Sequence, residues 1–418
     1  MEQVLAASKQ TLLSGLDFSG SPAAADYVTR KSSVTIFPLG GNTYSPNGVR
    51  SIRFNLASAS GGFLDLSTMA VQAQVNEKGG AQALTFLGPN LGCVVQEMRI
   101  YLGGVLVEAI PYYNRVSEML DRFKSHDKRI EDFDSGFGYL SGDRAGSSYV
   151  AKPIAADGSK VVVWQPSACG ICAQRNYLPT TFIPGGAIVE LLLVNTQQEV
   201  VDSGGSSSWD LSDVRILADF LHCDSSFITS LSRHILSGNS LNLSFKTYNT
   251  IQYTCASSSM QLVSARAFTR LNQAFLTFDR QGSHTATKKQ LNNFYLSPNG
   301  QNISLRSQVG DVSLPDHEVK TMAQHWFRLL HCIGVKNSPT HSVTIAHDTY
   351  RSDAYISGTD FEAVPESHGS GMSTHNAPLV MDIRDLGTDA NDLPTLAFLT
   401  QYAEALVQIS QDGVVLAM

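Results

Sequence analysis

Charge is scarce in this sequence: Asp, Glu, Lys and Arg make up 16% of its 418 residues, against about a quarter in ordinary soluble domains. Uncharged polar residues and glycine fill the gap. They cost less to desolvate than Lys or Glu, which suits a surface that meets neighbours. Basic arms are missing as well. The formal net charge is −7 and neither end carries a Lys/Arg-rich run, so direct binding to nucleic-acid phosphates is not expected. No run of about 18 apolar residues occurs. The opening Met-Glu-Gln-Val lacks the basic stretch of a secretory signal, so neither export nor membrane spanning is expected. In that setting the sequons at Asn242 and Asn302 read as chance.

Catalytic signatures are also missing. There is no G-x-S-x-G elbow, no phosphate-cradling loop and no dinucleotide glycine fingerprint, and no cofactor is expected. Cys93, Cys169, Cys172, Cys223, Cys255 and Cys332 sit mostly in apolar runs, where a free thiol packs as a small hydrophobe. Cys169-x-x-Cys172 has metal-ligand spacing, and His222-Cys223 could complete a zinc site. A second closely spaced pair is absent, and Ala168, Ile171 and Ala173 are apolar or small. Cys169 and Cys172 therefore remain weak metal candidates beside the reading as packed thiols. His317, His325 and His331 fall on a predicted helix at steps that do not give the i, i+4 pairing of a zinc helix, and read as surface or core-edge side chains. His341, His347, His368 and His375 fall in a loop region and read as solvated. Asp353 with Asp360 or Glu362 could flank a sugar as glycosidase carboxylates do.

What is present is strand alternation, twice over. Length alone favours two units of roughly 200 residues. Residues 1–34 read as an N-terminal arm in which Val4, Leu5, Leu12 and Leu13 precede a Gly/Ser/Pro/Ala stretch; docking on a neighbour or membrane and plain fraying both fit it. From Val49, Ile52, Phe54 and Leu56 alternate with polar residues. In the run from Phe63 to Val75 the apolar parity switches between Leu66 and Met69, which predicts a β-bulge. Gly103-Gly104 joins two alternating runs and predicts a two-residue hairpin turn. A helix is expected to open at Pro111, with Tyr113, Val116, Leu120 and Phe123 on one face. Ser125 to Lys160 then reads as a long surface loop. Strands follow at Val161–Trp164, Ala187–Val194 and Val214–Phe220, before a linking helix at 225–238 with Asp224 as N-cap and Gly238 as stop.

The plan then repeats. Leu241, Leu243 and Phe245 alternate, with further strands at Met260–Phe268 and Ala274–Phe278. A helix is expected from Pro315, carrying Val319, Met322, Trp326, Leu329 and Ile333 and ending at Gly334. A loop region from Lys336 to about Pro394 follows, and the chain returns as strand through Ala405, Val407 and Ile409 to the Asp412-Gly413 turn. The domain plan is thus a first unit at 35–224, the helix at 225–238 and a second unit at 239–418.

An order of this kind, two all-β, eight-stranded units in tandem with a short helix inserted after the fifth strand of each, resembles the double jelly-roll major capsid proteins of tailless icosahedral DNA viruses, with a compact size similar to Polinton-like and small eukaryotic-virus coats. The resemblance is carried by four places. They are the strand pair Val49 to Val75, the Val94 to Glu108 hairpin with Pro111-Tyr112-Tyr113-Asn114, the passage from Leu211-Ser212-Asp213-Val214 through Phe245-Lys246-Thr247-Tyr248, and the close from Tyr402-Ala403-Glu404-Ala405 to Asp412-Gly413-Val414. It implies a coat protein, not an enzyme, that assembles as a homotrimer of hexagonal outline and tiles a virion shell, and is made in the host cytoplasm or nucleus. Implied partners are other copies of itself, penton and minor capsid proteins, and an inner membrane in some members. A glycan-binding β-sandwich, such as a lectin or viral spike, shares the strand-and-loop pattern and predicts an aromatic-rich exposed pocket. A carbohydrate-active enzyme requires a cleft with coupled acids.

Overall fold

The computed structural model describes residues 27–56, 62–138, 151–174, 176–202, 204–279, 291, 294, 296, 303–335, 343, 345, 350–351, 354–363, 369–387 and 393–418. The first unit runs β1 (Val28–Ile36), β2 (Thr43–Tyr44), β3 (Ser51–Asn55), β4 (Phe63–Glu77), β5 (Val95–Leu102), β6 (Val105–Pro111), α1 (Tyr113–Phe123), α2 (His126–Ser135), β7 (Ser159–Trp164), α3 (Gly170–Ala173), β8 (Leu178–Pro179), β9 (Ala187–Leu193) and β10 (Trp209–Cys223). Helix α4 (Ser225–Leu236) leads to the second unit: β11 (Leu241–Thr254), β12 (Met260–Ser264), β13 (Leu271–Asp279), β14 (Ser304–Val309), β15 (Val312–Ser313), α5 (Met322–Cys332), β16 (Ile356–Asp360), β17 (Leu379–Arg384), β18 (Leu396–Ser410) and β19 (Gly413–Ala417).

In the first unit the sheets are β1-β10-β4-β7, with β2 paired to β10 and β8 to β4, and β3-β9-β5-β6. In the second they are β11-β18-β13-β16, with β19 beside β18, and β12-β17-β14-β15. With β2, β8 and β19 set aside, both units pair first-eighth-third-sixth and second-seventh-fourth-fifth, which is the jelly-roll order. The helix inserted between the fifth and sixth strands, α1 in one and α5 in the other, also repeats.

Local chemistry explains most of these elements. In β4 the buried set passes from Leu64 and Leu66 to Met69, Val71, Ala73 and Val75, and the pairing with β10 jumps from Ala70↔Leu217 to Asp65↔Asp219. This is the expected bulge, and Asp65 ties it off by accepting from the Ser67 amide (3.1 Å) and hydroxyl (2.6 Å). Gly103 and Gly104 hold φ of 58° and 80°, the left-handed pair that a tight hairpin of this twist demands. Asp224 accepts from the Ser226 amide at 3.1 Å and caps α4, and Gly238 follows it at φ 87°.

Several expectations change. β1 begins at Val28 and pairs with β10 up to Cys223, so residues 28–34 belong to a sheet and not to an arm. Pro111 ends β6, and Tyr112, at φ 53°, stands as N-cap of α1. The Ser125–Lys160 stretch is not all loop: Ser125 accepts from the Lys128 amide and opens α2. Residues 139–150 of it lie outside the described residues. The second inserted helix starts at Met322, not Pro315. Thr321 and Gln324 form a reciprocal capping box there, a T-x-x-Q signal readable in the sequence, while Val319 bridges to Leu305 as extended chain. The described parts of the Lys336–Pro394 region contain β16 and β17, which supply the sixth and seventh strands of the second roll.

Candidate functional site: the joint between the two rolls

The first core does not stop at the first roll. Its buried cluster takes in Leu243 and Phe245 from β11, Ala405, Val407 and Ile409 from β18, and Val414 from β19. Alternate residues of β11 turn Leu243, Phe245, Thr247 and Asn249 inward. The large sheet of the second roll is therefore packed along part of its length against the first. At the hairpin tip, a Cβ on Gly103 would lie 3.2 Å from Val414 Cγ2.

Two buried polar contacts fix the joint. Glu108 on β6 is 2% exposed and accepts from the Gly170 amide (2.9 Å), the Ile171 amide (3.0 Å), the Cys169 thiol (3.2 Å) and, from the second roll, the Thr247 hydroxyl (2.7 Å). Burial pushes its pKa up, and the donors pull the other way. A carboxylate seated on the first amides of a helical turn is well placed whenever it is charged. Gly170 is there because nothing larger fits: a Cβ would come within 1.8 Å of the Lys246 main-chain oxygen.

The second contact is made by α1, which is buried on nearly every face. Its Met119 belongs to the second core. Arg115 donates from Nη1 to Asp279 Oδ2 (2.8 Å) and from Nη2 to the Phe278 carbonyl (3.3 Å), and its guanidinium stacks 3.7 Å from the centre of the Phe398 ring. Burial depresses the Arg115 pKa, with Asp279 opposing; a guanidinium stays charged throughout the ordinary pH range regardless. Tyr112 donates to Gln252 Oε1 at 2.8 Å and meets Phe398 edge-on, which holds its unusual positive φ. Beside this contact Lys246 pairs with Glu362 at 3.0 Å, and Tyr248 stacks on Tyr402 at 4.6 Å.

The residues singled out from sequence fall in different places. Cys169 and Cys172 are buried at the turn that caps Glu108. His222 turns instead to Ser32 (3.0 Å) and Arg30 (3.3 Å) on β1. Among the described residues, no three or more His, Cys, Asp or Glu side chains are grouped to hold a metal. Burial raises the Cys169 thiol well above its ordinary value. Val4, Leu5, Leu12 and Leu13 lie outside the described residues, as do Asp353, His341, His347 and His368. Glu362 is engaged by Lys246 and Asn272 and its amide donates to Asp360 at 3.0 Å; the two acids are held as neighbours on one segment. His317 precedes α5. His331 stands 3.9 Å from Asp360, and His375 contacts Thr269 at 3.1 Å.

His325 departs most from its sequence reading. It is fully buried, with Nε2 3.0 Å from the Ile303 carbonyl and Nδ1 within 3.2 Å of the Tyr355 hydroxyl and 3.4 Å of Ser357 Oγ. A carbonyl can only accept, so Nε2 carries the proton and Nδ1 accepts. Burial lowers the His325 pKa to about 4. Sequence reasoning also missed Glu108 and Arg115, whose one signal was a charged residue inside an otherwise apolar strand or helix face.

No protein-family model matches the sequence, and no curated protein matches it. Solved structures do. VP54 of PBCV-1, fitted into a reconstruction of the virophage Sputnik, aligns at TM-score 0.64 and 10% identity over 96% of this chain and 99% of that one. The Faustovirus major capsid protein aligns at 0.63 and 8% over 91% and 90%. A structure of the Sputnik virophage aligns at 0.61 and 9% over 98% and 92%. At such identities the likeness is one of fold: the chain has the double jelly-roll architecture that these proteins share.

Proposed function

We propose that the chain is a major capsid protein that assembles as a homotrimer of pseudo-hexagonal outline and tiles an icosahedral shell, placing it in the virion. The observation that carries this reading is the duplication of one jelly roll, with the same strand order and the same inserted helix, in two copies joined by a buried seam. Two like modules held rigidly side by side present six similar faces when three chains gather about an axis, and six faces tile a surface. A flexible tether would not serve, because module orientation would then vary between copies. The fold shared with the Faustovirus major capsid protein supports the same reading.

Low charge fits lateral contacts that recur at each lattice site, and many weak contacts summed over a closed shell hold it together. Isolated exposed apolar side chains such as Val161 and Val163 on β7 and Val263 on β12 are of the kind that modest patches bury. On this reading the further partners are penton and minor capsid proteins, and an inner membrane where one is present; the work is structural and not catalytic. The test is solution mass with negative-stain imaging of purified protein. The expected result is a particle of three 45.2 kDa chains with a six-sided outline. A species that stays monomeric at every concentration and salt overturns it.

A further inference from the structure

We propose that the segment preceding Tyr27 docks back on its own chain, seating Leu12, Leu13, Leu16 and Phe18 in an apolar groove beside the linking helix. The groove has a volume of about 630 Å³ and is walled by side chains that include Tyr27, Phe63, Tyr177, Leu221, Phe227 and Leu231. Among the described residues, no Asp, Glu, Lys, Arg or His lines it. Tyr27 and Tyr177 remain 47% and 46% exposed, although the aromatic faces of Tyr27, Phe63 and Phe227 are already gathered within 6 Å of one another in pairs at 5.3 and 5.9 Å. A concentrated apolar surface of this kind is normally covered by something.

The occupant is named by where the chain enters. Tyr27 and Val28 form part of the wall, so residues 1–26 leave directly from the groove. The nearest apolar pair in that segment, Leu16 and Phe18, stands eleven and nine residues before Tyr27 (27 − 16 and 27 − 18). Nine residues span up to about 30 Å when extended, and Gly20 with Pro22 suits a reversal of direction. The chemistry also matches: from Gln10 to Ala25 the only ionised residue is Asp17, and the described lining of the groove is apolar or uncharged. Tethering favours the chain's own segment over another's. At an effective concentration of about 1 mM, even an intrinsic Kd of about 0.1 mM keeps the groove covered about ten times as often as bare. None of this rests on the coat-protein reading, since it holds for a single chain.

Cys223 lines the groove and reports on it. Iodoacetamide labelling of Cys223, followed by peptide mass mapping of the full-length protein, is compared with a variant lacking residues 2–20 and with a full-length Leu12→Ser/Leu13→Ser/Phe18→Ser variant, which keeps the chain intact should the deletion misfold. The expected result is labelling on the order of tenfold faster in both variants, reversed in the deletion by adding a synthetic peptide of residues 1–20, with protection in the intact protein independent of dilution. Equal labelling in all three overturns the proposal. Protection that disappears on dilution assigns the groove to a second copy, and protection that appears only with anionic lipid vesicles assigns it to a membrane; either outcome also overturns it.

Discussion

Arg115 and Asp279 meet at 2.8 Å with side chains 6% and 10% exposed, the one on the inserted helix of the first roll and the other at the end of the third strand of the second. An ion pair this deep gains little over a well-packed apolar pair, but losing one member leaves the other charged and dry. Arg115→Met and Asp279→Leu alone are each expected to cost about 3–5 kcal/mol in urea unfolding, and the double variant much less. Single variants as stable as the parent would show that the pair does not secure the joint.

Gly170→Ala tests the other contact. Its Cβ would collide with the Lys246 carbonyl at 1.8 Å, and the main chain on both sides would have to move. The expected consequence is a loss on the order of 2–4 kcal/mol and failure to form the higher-order species. At Gly41 a Cβ meets nothing within 4 Å, so Gly41→Ala serves as the control. Thermal melts of the two variants decide the matter: equal melting temperatures would mean that the rolls are not pressed together here.

Glu77 sets an acid limit on the first roll. The Ser206 hydroxyl, the amides of Asp157 (2.7 Å) and Gly80 (3.1 Å) and the Gly79 amide all donate to it, and together they hold its pKa down at about 2. A folded pKa below the unfolded value of about 4.5 means that the stabilisation is complete above pH 4.5 and is lost as pH falls toward 2. Glu77→Gln should be less stable than the parent at pH 7, with the difference shrinking below pH 4.5. Urea midpoints at pH 7, 3.5 and 2 measure this, and a constant gap would refute it.

His325 acts in a higher window and in the second roll. Burial lowers its pKa to about 4 from 6.5, so the unfolded chain takes up the proton first and stability falls as pH drops from 6.5 toward 4. The shift corresponds to about 3 kcal/mol. His325→Gln keeps a donor for the Ile303 carbonyl and cannot take up a proton, so its stability should fall less steeply across that window than the parent's. Parallel slopes would place the acid sensitivity elsewhere.

Legibility followed the range of the interactions. The hairpin at Gly103-Gly104, the parity switch between Leu66 and Met69, and the cap and stop of α4 at Asp224 and Gly238 were readable because each is a choice of backbone conformation made within a few residues. The start of α5 was equally local, written in Thr321 and Gln324, but the reading from Pro315 through Val319 placed it about two turns too early. β16 and β17 escaped because short strands amid Gly and Pro carry little alternation of their own and are held by the partners they find. Cys169-x-x-Cys172 stayed open between weak ligand pair and packed thiols because spacing alone cannot distinguish a ligand set from one buried helical turn.

From its sequence alone this chain is committed to two all-β units of matching plan, since strand periodicity, turn glycines and caps are properties of neighbouring residues. The joint is decided elsewhere. Glu108 reaches Thr247 across 139 positions and Arg115 reaches Asp279 across 164, and contacts so distant leave no periodic trace. They exist only once both sheets have formed and a buried charge must find its counterpart or remain unsolvated.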